Sequence, residues 1–282
     1  MQISNFSYNS PDYPDSLRQL EKPPKSINVL GTLPKDSLVA VVGSRRPTAY
    51  GEQVTYNIVT ELVQAGAVIV SGLAYGIDSI AHRAALDAGG KTVAVLAHGL
   101  DQIYPAGHRG LAKEILATGG ALVSEYDVGT EAFKGNFVER NRIIAALSMG
   151  VLVTEAAAKS GSLITARDAG QLGRTIMAVP GNITSVYSAG PNSLLRTKDA
   201  QVVTCGTDAI VALGFHAREA VPVPAQSADE ALLIKLLNEG LSSSEALIEK
   251  SKLSAAQFAN IISLMEITGK VRNLGAGNWV VR

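Results

Sequence analysis

The stretch SLVAVVGSRRPTAYGEQVTYNIVTELVQAG, residues 37–66, decides the fold class. Its β-branched run predicts a short buried strand that ends at Gly43, and the amphipathic segment after it predicts a helix at about residues 50–65. A strand, a tight turn and a helix form the opening unit of a nucleotide-binding α/β fold. The turn, however, carries a serine and two adjacent arginines at positions 44–46, where a dinucleotide-binding loop carries glycines.

Strand-like and helix-like segments alternate through the first three quarters of the chain. Strands are predicted at 38–43, 67–72, 91–99, 121–126, 150–156, 175–181 and 200–206, and helices at 50–65, 77–88, 108–118, 137–148, 162–172 and 207–213. Several strands are apolar throughout, which is typical of strands that helices cover on both faces. The alternation predicts right-handed βαβ crossovers and a doubly wound, mostly parallel sheet. Ligands of such sheets bind at the carboxyl ends of the strands.

Composition shifts divide the chain into four regions. They are an irregular N-terminal lead-in at 1–36 with one short helix at 16–20, the α/β domain at 37–215, a Pro-containing linker at 216–229 and a small domain at 230–282. The small domain has three short helical segments followed by a hairpin with glycines at its tip. That order predicts a winged-helix-like domain.

Composition and charge limit the class of protein. The 282 residues have a formal net charge of zero and a single cysteine, Cys205, which excludes an internal disulfide. Apolar runs end before the roughly 18 residues that a membrane span needs, and the N-terminus has no basic-then-apolar signal peptide. We therefore expect a reduced cytoplasmic protein without a membrane partner. Zero net charge does not exclude a nucleic acid, because affinity depends on local charge near phosphates.

The turn that opens the α/β domain suits a phosphate. Its candidate binding residues are Gly43, Ser44, Arg45 and Arg46. Free backbone N–H groups at the start of the following helix attract anions, and two guanidinium groups add permanently charged donors. The alternative is that the two arginines are a solvated surface pair.

The segment FKGNFVERNR, residues 133–142, combines cations with an aromatic ring around a predicted helix start. Its candidates are Lys134, Phe137, Asn141 and Arg142. This combination suits single-stranded nucleic acid, because cations follow the backbone while a ring stacks on a base for about 1–3 kcal/mol. The alternative is that Phe137 packs into the core and Arg140 pairs with Glu139 or Glu155.

Three further strand-end turns carry residues that suit phosphate oxygens. Their candidates are Ser71, Gly72, Arg109, Lys159, Ser160, Gly161 and Ser162. Asp78 and His82 follow the first of these turns, and without a nucleophile beside them they indicate a structural more than a catalytic role. Tyr104, in the loop before Arg109, is a stacking or a packing ring, and packing is favoured. The segment at 188–196 reads as a loop.

Motifs of the common nucleotide-dependent enzymes are absent from the sequence. It contains no G-x-G-x-x-G, G-x-x-x-x-G-K-[ST], H-E-x-x-H or G-x-S-x-G. We therefore expect no bound cofactor and no metal, and none of the usual parts for ATP hydrolysis, dinucleotide redox chemistry or serine-esterase chemistry.

Five long motifs stand in the order and spacing of a known family. GSRRPTAYG, SGLAYGIDSIAHRAAL, GLDQIYPAGHRGLA, FVERNRIIAALS and EAAAKSGSLITARDAGQLGR together resemble the bacterial DNA-processing family DprA/Smf over roughly residues 10–215. The resemblance implies a Rossmann-like domain, followed by the winged-helix-like domain that many members carry. It implies a cytoplasmic homodimer of natural transformation that binds and protects single-stranded DNA and helps to load the RecA recombinase, without enzymatic activity.

The resemblance also implies roles for individual residues. The family's DNA-contacting arginine corresponds to Arg45, and its Lys-x-x-Phe element to Lys134 and Phe137. Some relatives have a lysine at the position of Ala106, where this loop has Arg109 as its nearest basic residue. The N-terminal helical domain of some members is not expected, because the sequence begins close to the lead-in.

Two other functions compete with single-strand binding. One is a nucleotide-processing hydrolase of the lysine-decarboxylase-like Rossmann group that uses Glu155, although its P-G-G-x-G-T-x-x-E signature is missing. The other is a regulator that binds duplex DNA through the C-terminal domain, whose predicted recognition segment, 254–268, has no Lys or Arg. Six cations on single-stranded DNA would make log affinity fall with log salt at a slope of about −4, so a salt-independent affinity would contradict single-strand binding. Release of free base from a nucleoside monophosphate would instead indicate the hydrolase.

Overall fold

The structure, a computed structural model, describes residues 2–34, 37–215, 225–275 and 277–281. The chain divides into two compact units, Met1–Arg218 and Glu219–Arg282. Most of the linker predicted at 216–229 lies outside the described residues, so its bounds stay a prediction. Among the described residues, no helix combines the length and the apolar character needed to cross a membrane.

A nine-stranded sheet forms the centre of the first unit, counting the residues that the structure describes. The strands are β1 (Ile3–Ser7), β2 (Ser26–Gly31), β3 (Leu38–Val42), β4 (Val68–Ser71), β5 (Thr92–Leu96), β6 (Ala121–Ser124), β7 (Gly150–Val153), β8 (Thr175–Ala178) and β9 (Gln201–Val202). Their spatial order is β1-β2-β6-β5-β4-β3-β7-β8-β9. The sheet is parallel from β6 to β9, while β2 is antiparallel to both of its neighbours.

Helices cover both faces of this sheet. They are α1 (Asp15–Arg18), α2 (Ala49–Gln64), α3 (Ile77–Asp87), α4 (Arg109–Ala117), α5 (Lys134–Leu147), α6 (Ser162–Gln171), α7 (Ala189–Arg196) and α8 (Gly206–Ala212). Ala40 and Val42 of β3 pack in one core cluster with α5 and α6, whereas Val39 and Val41 pack in another with α2 and α3. Both faces of the strand are therefore buried, which explains its uninterrupted apolar sequence.

The strand order changes direction at β3, which pairs with β4 on one side and β7 on the other. Chain connections leave toward opposite sides of the sheet at this point, so a crevice opens beyond the carboxyl ends of β3 and β7. The turn at 44–46 follows β3 and therefore lies at this crevice.

The doubly wound, mostly parallel sheet predicted from the sequence is confirmed, but two local predictions are wrong. The lead-in is not irregular around one helix: β1 and β2 form an antiparallel pair, and β2 extends the sheet by pairing Asn28 with Ser124 of β6. The loop predicted at 188–196 is the helix α7. Tertiary pairing with a distant strand overrode the weak local β-propensity of the lead-in.

The second unit contains α9 (Ala228–Asn238), α10 (Ser244–Ser251), α11 (Ala255–Ile267) and a hairpin of β10 (Val271–Gly275) and β11 (Asn278–Val281). Leu233, Phe258 and Trp279 belong to its core. Ser243 caps the start of α10, since its side chain accepts a hydrogen bond from the backbone N of Ala246 at 3.2 Å. The helices and hairpin follow the predicted order, and the winged-helix-like assignment stays a prediction.

A buried histidine lies between α3 and β5 in the first unit. His82 is fully buried, and its Nδ1 lies 2.7 Å from the hydroxyl of Thr92, which itself donates to the carbonyl of Ile69. The hydroxyl therefore accepts from Nδ1–H, and Nε2 has no partner among the described residues. Burial, with smaller contributions from His108 and Arg140, lowers the pKa of His82 to about 3.

We expect His82 to make the first unit sensitive to acid. The unfolded chain takes up a proton at its pKa of about 6.5, whereas the folded chain does not until about pH 3, so stability falls as pH drops below 6.5. Between pH 7.5 and 5.5, the wild type should lose about 1.4 kcal/mol more than His82→Leu. Urea titrations followed by circular dichroism measure this difference, and equal losses in the two proteins would contradict it.

Candidate nucleic-acid interface

Loops from five parallel strands meet at one edge of the sheet. They follow β3, β4, β5, β6 and β7, and they lead into α2, α3, α4, α5 and α6, respectively. Parallel strands end at the same edge, so side chains far apart in sequence come together there. Most candidate binding residues of the sequence analysis lie on these loops or in the helix turns that follow them, while Asn141 and Arg142 lie further along α5.

Ser44 shapes the loop after β3. Its backbone N donates to the carbonyl of Glu155 at 2.6 Å, and its own carbonyl accepts from the backbone N of Ile77 at 3.0 Å. Its hydroxyl accepts from the backbone N of Arg46 at 3.1 Å. These bonds bury Ser44 and leave the side chains of Arg45 and Arg46 exposed.

Glu155 is bound to the start of α2. Its two carboxylate oxygens accept from the backbone N and the hydroxyl of Thr48 at 2.8 and 2.7 Å, and Thr48 in turn caps the helix. A Cβ at Gly51 would lie 2.2 Å from the same carboxylate, so a larger residue there would displace the Glu155 side chain. The negative charge also suits the positive end of the helix dipole. Glu155 is thus buried and engaged in holding the loop.

Arg140 forms a charged centre beneath the loops. It is 3% exposed and donates to the carbonyls of Gly72, at 2.8 Å, and Val95. Burial lowers its pKa to about 10, against the opposing charge of Asp78. Asp78 accepts from the backbone N of Gly72 at 3.1 Å and of Ala74 at 3.4 Å, and burial raises its pKa. One buried cation therefore ties α5 to the ends of β4 and β5.

Phe137 lies one turn before Arg140 and joins two loops at the surface. The guanidinium of Arg45 lies over its ring, 5.5 Å from the centroid. The ring of Tyr104 lies 5.7 Å away at an interplanar angle of 56°. Phe137 of α5 therefore contacts a cation from the loop after β3 and a ring from the loop after β5. Cations combined with aromatic rings are the arrangement that binds single-stranded nucleic acid.

A second ring contact involves the loop after β4. Tyr75, on the loop after β4, packs edge-on against His108 with centroids 4.8 Å apart. His108 is held by a 2.8 Å hydrogen bond between its Nδ1 and the carbonyl of Leu73. Tyr75 and Tyr104 are 55% and 52% exposed. The loops after β4 and β5 thus present two tyrosine rings to solvent.

Other predicted residues take accessible positions along the edge. Lys134 and Arg109 are exposed at the first positions of α5 and α4. Lys159 is exposed in the turn before α6, where Asn141 donates to the carbonyl of Gly161 at 3.2 Å. The hydroxyls of Ser160 and Ser162 lie 2.8 Å apart in the same turn.

Three predicted residues have other partners. Arg142 forms a 2.5 Å ion pair with Glu125, and both side chains are largely buried. Ser71 is buried and donates to the carbonyl of Val41 at 2.7 Å. Gly72 is covered by Arg140, whose Nη2 would lie 2.4 Å from a Cβ there. As placed, these residues position the loops.

Neither alternative for α5 agrees with the structure. Arg140 does not pair with Glu139 or Glu155, since its hydrogen bonds go to backbone carbonyls and to the neighbouring Asn141. Phe137 does not enter the core: it is half-buried, between Arg45 and Tyr104.

The exposure of three aromatic rings in this region is not predicted from the sequence. The sequence favours packing for Tyr104 and indicates no role for Tyr75 or Phe133, yet Phe133 is 69% exposed. The available signal was position, because each of these aromatics follows the carboxyl end of a predicted strand.

The fold and the candidate site together define a doubly wound α/β protein. The carboxyl ends of its parallel strands present cations and aromatic rings. The model of the family described as DNA recombination-mediator protein A matches residues 5–214. The chain belongs to this family.

Individual relatives agree with this assignment. The DNA processing protein DprA of Bacillus subtilis is 41% identical over 197 residues, which are 69% of this chain and 66% of the relative. The structure of DprA from Streptococcus pneumoniae is 38% identical, with a TM-score of 0.70 over 77% of this chain and 76% of that one. DNA processing protein A from Helicobacter pylori, whose structure concerns its single-stranded DNA binding mode, is 34% identical, with a TM-score of 0.67 over 77% and 98%. The chain spans only 63% and 56% of the curated relatives from Mycobacterium tuberculosis and Synechocystis.

Proposed function

We propose that the chain binds single-stranded DNA along this edge, with phosphates at the exposed cations and a base at the ring of Phe137. The observation that carries the proposal is the contact of Arg45 with Phe137, which joins a phosphate donor to a stacking surface. The similarity to the Helicobacter pylori protein supports the choice of a single strand.

Charge along the edge favours a phosphate chain over one nucleotide. Five exposed cations stand on it, namely Arg45, Arg46, Arg109, Lys134 and Lys159. With Arg142 engaged by Glu125, we expect log affinity to fall with log salt at a slope of about −3.5, at roughly 0.7 per phosphate contact on a single strand.

Arg45→Ala should weaken binding to oligo-dT by about tenfold or more, because charge-assisted hydrogen bonds contribute about 1.5–3 kcal/mol. The loss should be similar for all base sequences, and the salt slope should fall by about 0.7. Fluorescence anisotropy at several salt concentrations measures both quantities.

Lys91→Ala is the matched control for this loss. Lys91 is exposed immediately before β5, at the opposite edge of the sheet, so its removal changes net charge equally without touching the interface. Equal affinities and slopes for Arg45→Ala and the wild type would overturn the proposed site.

At the level of the cell, we propose that the protein protects incoming strands in the cytoplasm during natural transformation and helps to load RecA, as a homodimer. The family description as a recombination mediator supports this role. Nuclease protection of oligo-dT and RecA ATPase activity on strands coated by single-strand-binding protein test it. A protein that neither protects DNA nor accelerates RecA would contradict the role without affecting strand binding.

We do not propose an enzyme. Both oxygens of Glu155, the residue on which hydrolysis would depend, accept hydrogen bonds from Thr48. Incubation with nucleoside monophosphates and detection of free base tests this view. Duplex binding by the second unit is also disfavoured, because α11 has no Lys or Arg, and a gel shift with duplex DNA tests that.

A further inference from the structure

We propose that Tyr104 is itself a base-stacking residue, so that the base-binding surface is the ring pair Tyr104–Phe137 and not Phe137 alone. The inference rests on the proposed function, since it names a further contact of the same site. It reverses the interpretation of Tyr104 as a packing ring.

Exposure is the first argument. Phe137 is half-buried, with the guanidinium of Arg45 over its ring and Tyr104 against it. Tyr104 is 52% exposed, so it is the ring of the pair with more surface available to a ligand. A ring whose role was packing would be removed from water, because burial of apolar surface is what stabilises it. Phe137 supports Tyr104 in a tilted contact, as aromatic pairs do.

Rigidity is the second argument. The backbone N of Tyr104 donates to Nε2 of His98 at 3.2 Å, and Nδ1 of His98 lies 2.9 Å from the carbonyl of Gly99. The two contacts agree on one tautomer, in which Nδ1 carries the proton and Nε2 accepts. His98 is buried, as is Pro105, which follows Tyr104. A ring held on a fixed backbone loses little conformational entropy when a base binds.

Charge around the pair is the third argument. Arg45 lies on the Phe137 side of the pair, and Arg109 follows Tyr104 along the chain at the start of α4. Single-stranded DNA with a base stacked on Tyr104 therefore has two permanent cations available for its phosphates. Arg45 comes from the loop after β3, and Arg109 follows the loop that carries Tyr104. Alternation of cations and rings is the arrangement that follows a single strand.

Binding of oligo-dT and of an abasic deoxyribose-phosphate chain of equal length separates stacking from support of the loop. For Tyr104→Ala, we expect affinity for oligo-dT to fall about five- to hundredfold, as loss of one base–ring stack does. Affinity for the abasic chain should change less than twofold. Tyr104→Phe should bind both like the wild type, and Tyr104→Leu, which keeps an apolar side chain but no ring, should behave like Tyr104→Ala.

Either of two binding results would overturn the inference: unchanged oligo-dT binding by Tyr104→Ala, or equal losses of affinity for oligo-dT and for the abasic chain. Absence of oligo-dT binding by the wild type would instead overturn the proposed function. Tyr104→Trp adds a direct readout, because stacking quenches indole fluorescence. The natural Trp279 belongs to the other unit and supplies the background, measured in the wild type. If saturating oligo-dT leaves the additional indole signal of this variant unchanged, that result also contradicts stacking.

Discussion

Arg140→Met is expected to lower the free energy of unfolding by about 3–5 kcal/mol, the usual cost of removing one partner from a buried charge network. The side chains have similar length, so the loss comes from hydrogen bonds and charge. The carbonyls of Gly72 and Val95 would lose their donor, and Asp78 would lose the positive charge that opposes its desolvation. Urea titration followed by circular dichroism measures the change.

A second substitution tests whether the buried charge causes the loss. Asp78→Asn in the Arg140→Met background should recover part of the stability, because the unpaired carboxylate is then absent. Arg83→Ala is the control, since Arg83 pairs with Glu114 at the surface and its loss should cost less than about 1 kcal/mol. If Arg140→Met costs no more than Arg83→Ala, the guanidinium does not hold the loops.

The parallel strands could be predicted from the sequence because each is a short run of apolar residues, a pattern visible without knowing the strand's neighbours. The run Leu38–Val42 is apolar at every position, and both of its faces are covered. The lead-in lacks such a pattern, since β2 is stabilised by β6, a partner about ninety residues away. The helix α7 was hidden by Gly190 and Pro191, which resemble a turn although proline is tolerated in the first turn of a helix.

The sequence indicates which residues are candidates for the site, but it does not indicate which of them contact one another. The sequence names both Arg45 and Phe137, yet only the fold brings the guanidinium of a loop residue to 5.5 Å from the ring centroid of a residue in α5. For Arg142 the sequence shows a basic residue in a cluster, but it does not show the ion pair with Glu125, because that partner lies on a distant segment. For Arg140 a signal did exist, because it precedes Ile143, Ile144 and Leu147 at helical spacing and so lies on the apolar face.

Gly76→Ala is expected to affect both stability and strand binding. Gly76 has φ 78° and ψ −130°, a conformation open essentially to glycine alone. A Cβ there would lie 2.3 Å from the carbonyl oxygen of Ser44, a backbone atom that cannot turn aside. Strain and overpacking each cost about 1–3 kcal/mol, so a loss of about 2–6 kcal/mol is expected.

Gly76→Ala should also weaken DNA binding, because Gly76 packs against the carbonyl of Ser44 in the loop that carries Arg45. Ser44 opens the turn that carries Arg45, so pushing the loops after β3 and β4 apart moves Arg45 away from Phe137. Affinity for oligo-dT, measured below the unfolding transition, should fall about tenfold, as for loss of Arg45 itself. Gly89→Ala is the matched control: φ is +74° there, but the space around a Cβ is open, so it should cost about 1–2 kcal/mol for the left-handed backbone and leave binding unchanged. If both variants lower the free energy of unfolding equally and Gly76→Ala binds oligo-dT like the wild type, the contact between the two loops does not position Arg45. The position of Arg45 over Phe137 would then depend on α5 alone.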